Sequence, residues 1–360
     1  MPRDPRLRVR QEEPENAGPE LAALRAQVAT PNGLFFIRSH GDVPAVDPGA
    51  HRLAVGGLVR RPLSLSLAEV RGLPASTFTA TLECAGNRRS ELARVEPIPG
   101  ERPWDEDAIS NAFWTGAVLG RVLAMAEPLP AARYVAFEGL DHVERHGESV
   151  GFGGSIPLEK ALSPEVLLAY EMNGAPLPAS HGAPLRALVP GTIGARSVKW
   201  LARVELRETP SESYFQRQAY RLFPPAMRAA TVVYEQGKML DELGVNSVIC
   251  TPRPGEVVAP GAVPVRGYAI AGGGRRVERV ELSGDGGRHW SPVELYEDRG
   301  PWSWRLWRGA LGLTPGSEHE LVVRAWDSAG ETQPADPAAI WNFKGYMNNA
   351  WHRVRVKVAG

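Results

Sequence analysis

The chain has 360 residues, and its 41 Lys+Arg residues balance its 41 Asp+Glu residues. This length allows two domains with a sizeable core, and the balanced charge indicates no nucleic-acid or membrane-surface partner. Only two cysteines are present, Cys84 and Cys250, which excludes a multi-disulfide framework and a metal site made of four thiolates from one chain.

The N-terminal residues 1–18 are charged and rich in proline, which predicts a flexible arm. They contain no apolar core of a secretory signal, so we expect a cytoplasmic protein, or a periplasmic one if an export signal has been removed. No apolar run in the chain reaches the roughly 18 residues of a membrane-spanning helix.

An apolar run that includes Phe36 predicts a buried strand over residues 34–40. The strand period of two places Arg38 and His40 on one face. A salt-bridged sheet edge is the alternative to a functional role for these two polar side chains.

Residues 77–84, which read TFTATLEC, alternate polar and apolar side chains and predict a strand with one buried face. Cys84 ends the apolar row, where the sequence AGN breaks the strand, and Arg88 and Arg89 follow. Positive charges beside a thiol favour the thiolate, which is the nucleophile and the metal ligand. A small core cysteine next to solvated arginines is the alternative interpretation.

Beyond residue 240 the pattern changes to short alternating runs separated by the turn signals GGG, DGG and DSAG. This spacing is typical of an all-β sandwich, with a boundary expected near residues 241–244. The many Trp and Tyr side chains in this part suit a sandwich core and an interface between subunits.

The segment CAGNRR, residues 84–89, resembles the molybdenum-ligating motif of the sulfite oxidase family. Further segments resemble the family in the same order, from about residue 34 to residue 354: FGGSIP, HGAPLR, GARSVKWL and WNFKGYMNNAWHRV. The resemblance implies an α+β chain. A mixed α/β molybdopterin-binding domain would span residues 19–240, and an immunoglobulin-like domain that forms a homodimer would span residues 241–360.

The resemblance also implies a molybdenum ion bound by Cys84 and by the dithiolene of molybdopterin. In this reading Asp141 accepts N–H donors of the pterin, and a cluster of Arg, Lys and His side chains holds its phosphate. For that cluster, a strand-end turn with solvated charges is the alternative. The cofactor-binding residues implied are Phe36, Arg38, His40, Cys84, Asp141, His181, Arg186, Arg196, Ser197 and Lys199.

Cationic side chains in a concave site suit a small oxyanion. The resemblance implies oxidation of sulfite to sulfate by oxo transfer, with electrons leaving to an external acceptor such as cytochrome c, another carrier or oxygen. Alternatives are a nitrate reductase-like or other sulfur-compound oxidoreductase of the same family, and a non-enzymatic β-rich interaction module. The catalytic residues implied are Arg38, Arg89, Trp104, Tyr220 and Arg305. A buried structural Trp and a half-buried structural Tyr are the alternatives for Trp104 and Tyr220.

Overall fold

The computed structural model describes residues 4–145 and 147–360. Among these residues, β-strands dominate and the helices are short. The helices are α1 (Leu21–Leu24), α2 (Leu67–Arg71), α3 (Arg89–Val95), α4 (Leu119–Ala126) and α5 (Leu158–Leu162). The strands before residue 240 are β1 (Leu7–Gln11), β2 (Asn16–Pro19), β3 (Ile37–Arg38), β4 (Arg52–Gly57), β5 (Leu63–Ser66), β6 (Ala75–Glu83), β7 (Ile109–Val118), β8 (Tyr134–Arg145), β9 (Glu148–Pro157), β10 (Leu167–Met172), β11 (Ala175–Pro176), β12 (Arg186–Leu188), β13 (Leu201–Arg207), β14 (Arg221–Leu222) and β15 (Lys238–Met239).

The N-terminal segment is folded, in contrast to the flexible arm that its composition predicts. Strands β1, β2 and β3 form a small antiparallel sheet. Arg10 pairs with Asp105 at 2.9 Å and with Asp107 at 2.7 Å, and Asn16 is fully buried. The expectation is therefore wrong for residues 4–18, because their charged groups have partners in the folded body; residues 1–3 lie outside the described residues.

Strand β6 lies in a sheet of order β11-β10-β7-β6, in which β12 also pairs with β10. The range of β6 confirms the strand predicted over residues 77–84, except that Cys84 follows directly after the end of β6. Its later half is buried on both faces, however, not on one. The cause is the C-terminal part of the chain, since the Thr81 N–H donates to the Trp302 carbonyl and the Trp304 N–H donates to the Thr81 hydroxyl, both at 2.9 Å.

A second sheet has the order β5-β4-β13-β8-β9, in which only the β4–β13 pair is parallel. The register of β8 against β9 shifts between Glu138 and His142. Such an irregularity turns a side chain away from its regular direction. Asp141 lies inside the shift, at the edge of the cavity described below.

The C-terminal part consists of two further sheets, β16-β18-β22-β21 and β17-β24-β23-β19-β20. Their facing sides share an apolar core that includes Val265, Trp307, Val323 and Val356. The chain is therefore a mixed α/β region followed by a β-rich region. The strands after residue 240 are β16 (Asn246–Thr251), β17 (Val257–Val258), β18 (Gly261–Ile270), β19 (Val277–Ser283), β20 (Ser291–Pro292), β21 (Glu294–Tyr296), β22 (Arg305–Leu313), β23 (Glu318–Asp327) and β24 (His352–Val358).

None of the helices in the described ranges combines the length and the apolar character that crossing a bilayer requires.

Candidate active site

A cavity of about 680 Å³, counted with the space open to solvent at its mouth, lies at the end of β6. Most of the residues implied by the sequence meet in its wall. These are Phe36, Arg38, His40, Cys84, Asp141, His181, Arg186, Ser197, Lys199 and Tyr220.

Cys84 carries a free thiol at the wall of this cavity. The turn after it is tight: the Gly86 N–H points at Sγ across 3.4 Å, and the Asn87 N–H donates to the Cys84 carbonyl at 2.9 Å. A Cβ on residue 86 would lie 2.5 Å from Nη2 of Arg89, so glycine lets the Arg89 guanidinium fold back over the turn. The sequence therefore brings one positive charge close to the thiol.

The neighbouring Arg88 points elsewhere, because its backbone has a left-handed φ of 63°. Its guanidinium is fully buried and donates to both carboxylate oxygens of Glu91 at 2.7 Å. It also donates to Asn246 Oδ1 at 2.7 Å, at the start of β16. The expectation of two guanidiniums beside the thiol is thus met by Arg89 alone, while Arg88 joins the cysteine turn to the β-rich region.

Arg38, His40 and Tyr220 form a hydrogen-bonded chain along the cavity wall. Arg38 Nη2 lies 3.1 Å from His40 Nδ1, and His40 Nε2 lies 2.8 Å from the Tyr220 hydroxyl oxygen. A guanidinium only donates, so Nδ1 accepts and Nε2 of the neutral ring carries the proton. The imidazole therefore donates to the Tyr220 oxygen, which leaves the phenolic hydrogen available to the cavity.

Burial and the charge of Arg38 hold the pKa of His40 well below its ordinary value, which keeps the ring neutral. Burial also raises the pKa of Tyr220, so the phenol stays protonated. A π-helical turn, Phe215–Ala219, precedes Tyr220, and the Tyr220 N–H closes it on the Phe215 carbonyl at 3.3 Å. Such turns are frequent at functional sites because they redirect the next side chain.

Positive charge accumulates at the other end of the cavity, where Lys199 and Arg186 are bound to neutral groups. Lys199 Nζ donates to Ser39 Oγ at 2.8 Å and to the Ser180 carbonyl at 2.9 Å. Arg186 donates to the carbonyls of His181 and Ser197 at 2.9 and 2.8 Å. Among the ion pairs of residues 4–145 and 147–360, none joins Lys199 or Arg186 to a carboxylate within 4.0 Å.

Burial lowers the pKa values of the basic groups at this end of the cavity. Burial, followed by the charge of Arg186, lowers the pKa of Lys199 to about 7. Burial lowers the pKa of Arg186 to about 9 and that of His181 to about 3. Buried cations without a counter-ion are costly, and an anionic ligand in the cavity would relieve that cost.

Asp141 and Arg196 have buried polar atoms without a partner in the described part of the chain. Asp141 Oδ1 lines the cavity unbonded, and burial, opposed by the charge of Lys199, raises the pKa of this carboxyl to about 6. Arg196 is fully buried with Nε and Nη1 unbonded, while Nη2 donates to the Leu240 carbonyl. Arg196 is not among the lining residues, although its neighbours Ala195 and Ser197 are, so the structure does not bring it to the cavity surface.

This set of groups fits a molybdenum–pterin cofactor. A thiol suits a soft metal, an unbonded carboxylate oxygen suits the N–H edge of a pterin, and cations without counter-ions suit a phosphate.

Three of the expected catalytic residues, Arg89, Trp104 and Arg305, do not line the cavity. Trp104 is fully buried, with the Arg10 guanidinium 5.4 Å from its ring centre and its indole nitrogen unbonded. Arg305 lies on β22 opposite Ala269, and its Nη1 pairs with Asp298 at 3.0 Å. The structure therefore differs from the expectation that Arg305 reaches the pocket, because the register of β22 directs its side chain to Asp298.

Lys344, from the segment WNFKG, is the cation of the β-rich region that lies beside Arg89. The Arg89 Nε–H donates to the Lys344 carbonyl at 2.9 Å, and the ammonium pairs with Glu101 Oε1 at 2.6 Å. The Arg89 guanidinium also lies 5.0 Å from the ring centre of Tyr346, which stacks on Tyr220 at 5.6 Å. Sequence reasoning missed this group, although a lysine between Trp and Tyr in an apolar stretch was an available signal.

Comparison with known proteins agrees with this geometry. Residues 40–215 match the family model described as the oxidoreductase molybdopterin binding domain, and residues 237–359 match the Mo-co oxidoreductase dimerisation domain. The sulfite oxidase of Gallus gallus is 48% identical over 362 residues, which cover 98% of this chain and 78% of that protein. The mitochondrial sulfite oxidase of Homo sapiens is 44% identical over 367 residues, 99% of this chain and 67% of that protein.

A solved structure is similar as well. The sulfane dehydrogenase SoxCD from Paracoccus pantotrophus superposes with a TM-score of 0.82 at 29% identity, covering 95% of this chain and 84% of that chain. Together these matches define a molybdopterin-binding oxidoreductase. With relatives this similar over almost its full length, the chain belongs to the sulfite oxidase family. The predicted family, enzyme class and molybdenum–molybdopterin cofactor are confirmed.

Proposed function

We propose that this chain oxidises sulfite to sulfate at a molybdenum ion bound by Cys84, and passes the electrons to an external acceptor. The observation that carries the proposal is the meeting, in one cavity, of a free thiol with Arg38 and the Tyr220 hydroxyl. Its relatives named as sulfite oxidases support the choice of substrate. The bound cofactor supplies oxo transfer and accepts the two electrons.

The chain's own residues first hold the cofactor. Cys84 would supply the sulfur ligand to the metal. The unbonded Oδ1 of Asp141 accepts an N–H of the pterin. Lys199, Arg186 and His181 face the phosphate, and Phe36, Arg38, His40 and Ser197 complete the wall. Arg196 supports this wall from behind through Leu240.

The substrate is a small anion. Arg38 lines the cavity, and the Arg89 guanidinium folds back over the turn that follows Cys84. Arg38 is held by Asn16 Oδ1, which accepts from Nη1 at 3.1 Å, so the guanidinium is oriented before substrate arrives. Lys344 is a third cation in this neighbourhood: its carbonyl accepts from Arg89 Nε, and its ammonium pairs with Glu101. Preoriented donors of this kind stabilise an oxyanion without reorganisation.

Tyr220 contributes a hydrogen-bond donor of fixed direction. His40 occupies one lone pair of the phenolic oxygen, so the O–H hydrogen would be available to a substrate anion in the cavity. Because the pKa of Tyr220 is raised by burial, the phenol acts as a donor and not as a base. Trp104 supports the site indirectly, by packing under Arg10.

The β-rich region, residues 241–360 in our division of the chain, is proposed to be an immunoglobulin-like sandwich that forms a homodimer. The match of residues 237–359 to a dimerisation domain supports this assignment. The electron acceptor is proposed to be a separate cytochrome c, another carrier or oxygen.

Steady-state assays with sulfite, and with nitrate as the alternative substrate, test the proposal. The sulfite assays should be supplied with ferricyanide, cytochrome c or oxygen as electron acceptor in parallel, and the nitrate assay with a reduced dye as electron donor. We expect stoichiometric molybdenum and sulfite oxidation in the wild-type protein, and loss of turnover in Cys84→Ser with the fold retained by circular dichroism. Cys250→Ser is the matched control, because Cys250 is buried away from the cavity and should leave turnover intact. Turnover by Cys84→Ser would refute the assignment of the metal ligand.

A further inference from the structure

Glu101 lies in the loop between α3 and β7, among the cations that face the substrate side of the site. Its Oε1 is 2.6 Å from Lys344 Nζ, and its Oε2 is 3.7 Å from Arg89 Nη2. Its side chain is 21% exposed, against 5% for Arg89 and 16% for Lys344. Within the described residues it is the carboxylate that pairs with either of these two cations.

The surroundings of Glu101 are strongly positive. Arg89 Nη1 donates to the Arg102 carbonyl at 2.7 Å, and burial, followed by the charges of Arg38 and Arg89, lowers the pKa of Arg102. Within residues 4–145 and 147–360, the Arg102 side chain donates to the Gln11 amide oxygen with Nη2, and its Nε is buried without a hydrogen-bond partner. A negative charge is therefore needed here, and in the protein without substrate Glu101 supplies it.

Glu101 is also close to the reacting end of the cavity. Arg89, which it faces, lies over the ring of Tyr346, and Tyr346 stacks on Tyr220. The pKa of Tyr220 is raised mainly by burial, to which the negative charges of Cys84 and Glu101 add. An anion bound by Arg89 and Lys344 would thus meet both Tyr220 and the Glu101 carboxylate.

The Glu101 carboxylate and a sulfur oxyanion compete for the same N–H donors, because each presents several anionic oxygens that accept hydrogen bonds. The two cannot occupy the space between Arg89 and Lys344 together without like-charge repulsion. The loop that carries Glu101 can yield, because Pro99 and Gly100 are not packed: Gly100 is exposed, with open space around it.

We propose that Glu101 is an internal competitor of the substrate anion. In the resting protein its carboxylate pairs with Arg89 and Lys344, and it is displaced when the anion binds. The proposal rests on the proposed function, and it makes Glu101 a determinant of anion affinity. Its presence weakens the binding of sulfite and promotes the release of the product sulfate. It also keeps other anions, such as chloride, out of the site.

Removal of the charge should therefore strengthen anion binding. A partly exposed ion pair contributes up to about 1 kcal/mol, so Glu101→Gln should lower the KM for sulfite and the Kd for sulfate about two- to fivefold. If Glu101 only holds Lys344 in place, both the KM for sulfite and the Kd for sulfate should rise instead, because a misplaced Lys344 would bind either anion less tightly. Glu101→Ala tests the same charge without the amide, in case the Gln side chain disturbs the loop.

The experiment is calorimetric titration of sulfate into the cofactor-loaded protein, with steady-state sulfite kinetics beside it. The matched control is Glu96→Gln, because Glu96 starts the same loop and pairs with Arg228 at 3.0 Å on the exposed surface. The proposal holds if sulfate binds the Glu101 variants more tightly while the Glu96 variant binds like wild type. It is overturned if sulfate binds the Glu101 variants no more tightly than wild type.

The two proposals fail in different ways. If the wild-type protein, loaded with molybdenum, does not oxidise sulfite, the proposed function fails. The sulfate titration still decides the role of Glu101 in that case, because it measures anion affinity and does not depend on turnover.

Discussion

The imidazole of His40 donates its Nε2 hydrogen to the Tyr220 hydroxyl across 2.8 Å, and it does so because Arg38 occupies the other ring nitrogen. Arg38 and His40 lie at the end of β3, and Tyr220 lies in the turn before β14. His40 and Tyr220 are 180 residues apart in the sequence. The arrangement fixes a proton direction that no one of the residues could fix alone.

A first prediction concerns the hydrogen bonds that join Arg38, His40 and Tyr220. His40→Phe keeps an aromatic ring against Phe152, on which His40 stacks at 5.3 Å, but it removes the donor to Tyr220. The phenol can then rotate its hydrogen away from the substrate, so we expect kcat to fall about tenfold or more with a smaller change in KM. Steady-state sulfite kinetics measure both constants.

The companion test is a double-mutant cycle with Tyr220→Phe. If His40 acts through Tyr220, the two losses in kcat are non-additive, and the double variant resembles Tyr220→Phe alone. Additive losses would show that His40 acts independently. The pH profile is a second check: the pKa of His40 is held well below its ordinary value, so wild-type kcat should show no protonation step of this ring between about pH 6 and 7.

A second prediction concerns Asn16, which the folded N-terminal hairpin places under Arg38. Its side chain accepts from Arg38 Nη1 and from the Ser39 N–H, at 3.1 and 3.2 Å, and it is fully buried. Asn16→Ala leaves the Ser39 N–H without its partner and removes one acceptor from Arg38 Nη1, which still donates to the Ser39 carbonyl. Leaving a buried donor unsatisfied costs about 1–3 kcal/mol of unfolding free energy. The variant also holds the guanidinium less firmly, so the KM for sulfite should rise. A KM equal to that of wild type would show that Arg38 keeps its orientation without Asn16.

How much of this could be read from the sequence depends on the range of the interactions. Strand β6 and the position of Cys84 follow from local alternation and from the AGN turn, so they were predictable. The separation of Arg88 from Arg89 was not, because the Arg88 guanidinium turns to a partner 158 residues away, Asn246. The hairpin of residues 4–18 depends in the same way on the pairing of Arg10 with Asp107, 97 residues apart.

The cation that the β-rich region brings to the site shows the same limit. Composition identifies many arginines in that region, but only strand register decides which side chains face the cavity. Arg305 is directed to Asp298 by β22, while the irregular segment before β24 carries Lys344 to Arg89. The cofactor wall was more accessible, because its residues are contained in short, dense motifs such as HGAPLR and GARSVKWL.

A third prediction concerns the link between the cysteine turn and the β-rich region. Arg88→Met preserves much of the side-chain volume but leaves Glu91 and Asn246 without their guanidinium. Breaking one side of a buried pair is costly, so we expect a loss of about 3–5 kcal/mol in unfolding free energy. Urea unfolding measures it. Arg94→Met on the same helix is the control, since Arg94 is exposed, and a similar loss there would contradict the role assigned to Arg88.

A fourth prediction uses the pKa of Lys199, lowered to about 7 by burial in the protein without its cofactor. Below pH 7 this lysine is charged in both the folded and the unfolded chain, so the folded state bears the full cost of the buried charge. Between about pH 7 and the ordinary pKa near 10.5, the folded state binds fewer protons than the unfolded state. Stability therefore rises with pH across this window.

The measurement is the Tm of cofactor-free protein between pH 7 and 9. We expect Tm to rise with pH in wild type more steeply than in Lys199→Met, which carries no titrating group at this position. Lys238→Met, at an exposed lysine, should keep the wild-type slope. With cofactor bound, its phosphate offsets the buried charge and raises the pKa of Lys199, so the slope in the loaded protein should flatten. A wild-type slope equal to that of Lys199→Met would mean that solvent reaches the ammonium and that the phosphate end of the cavity is not a desolvated cation site.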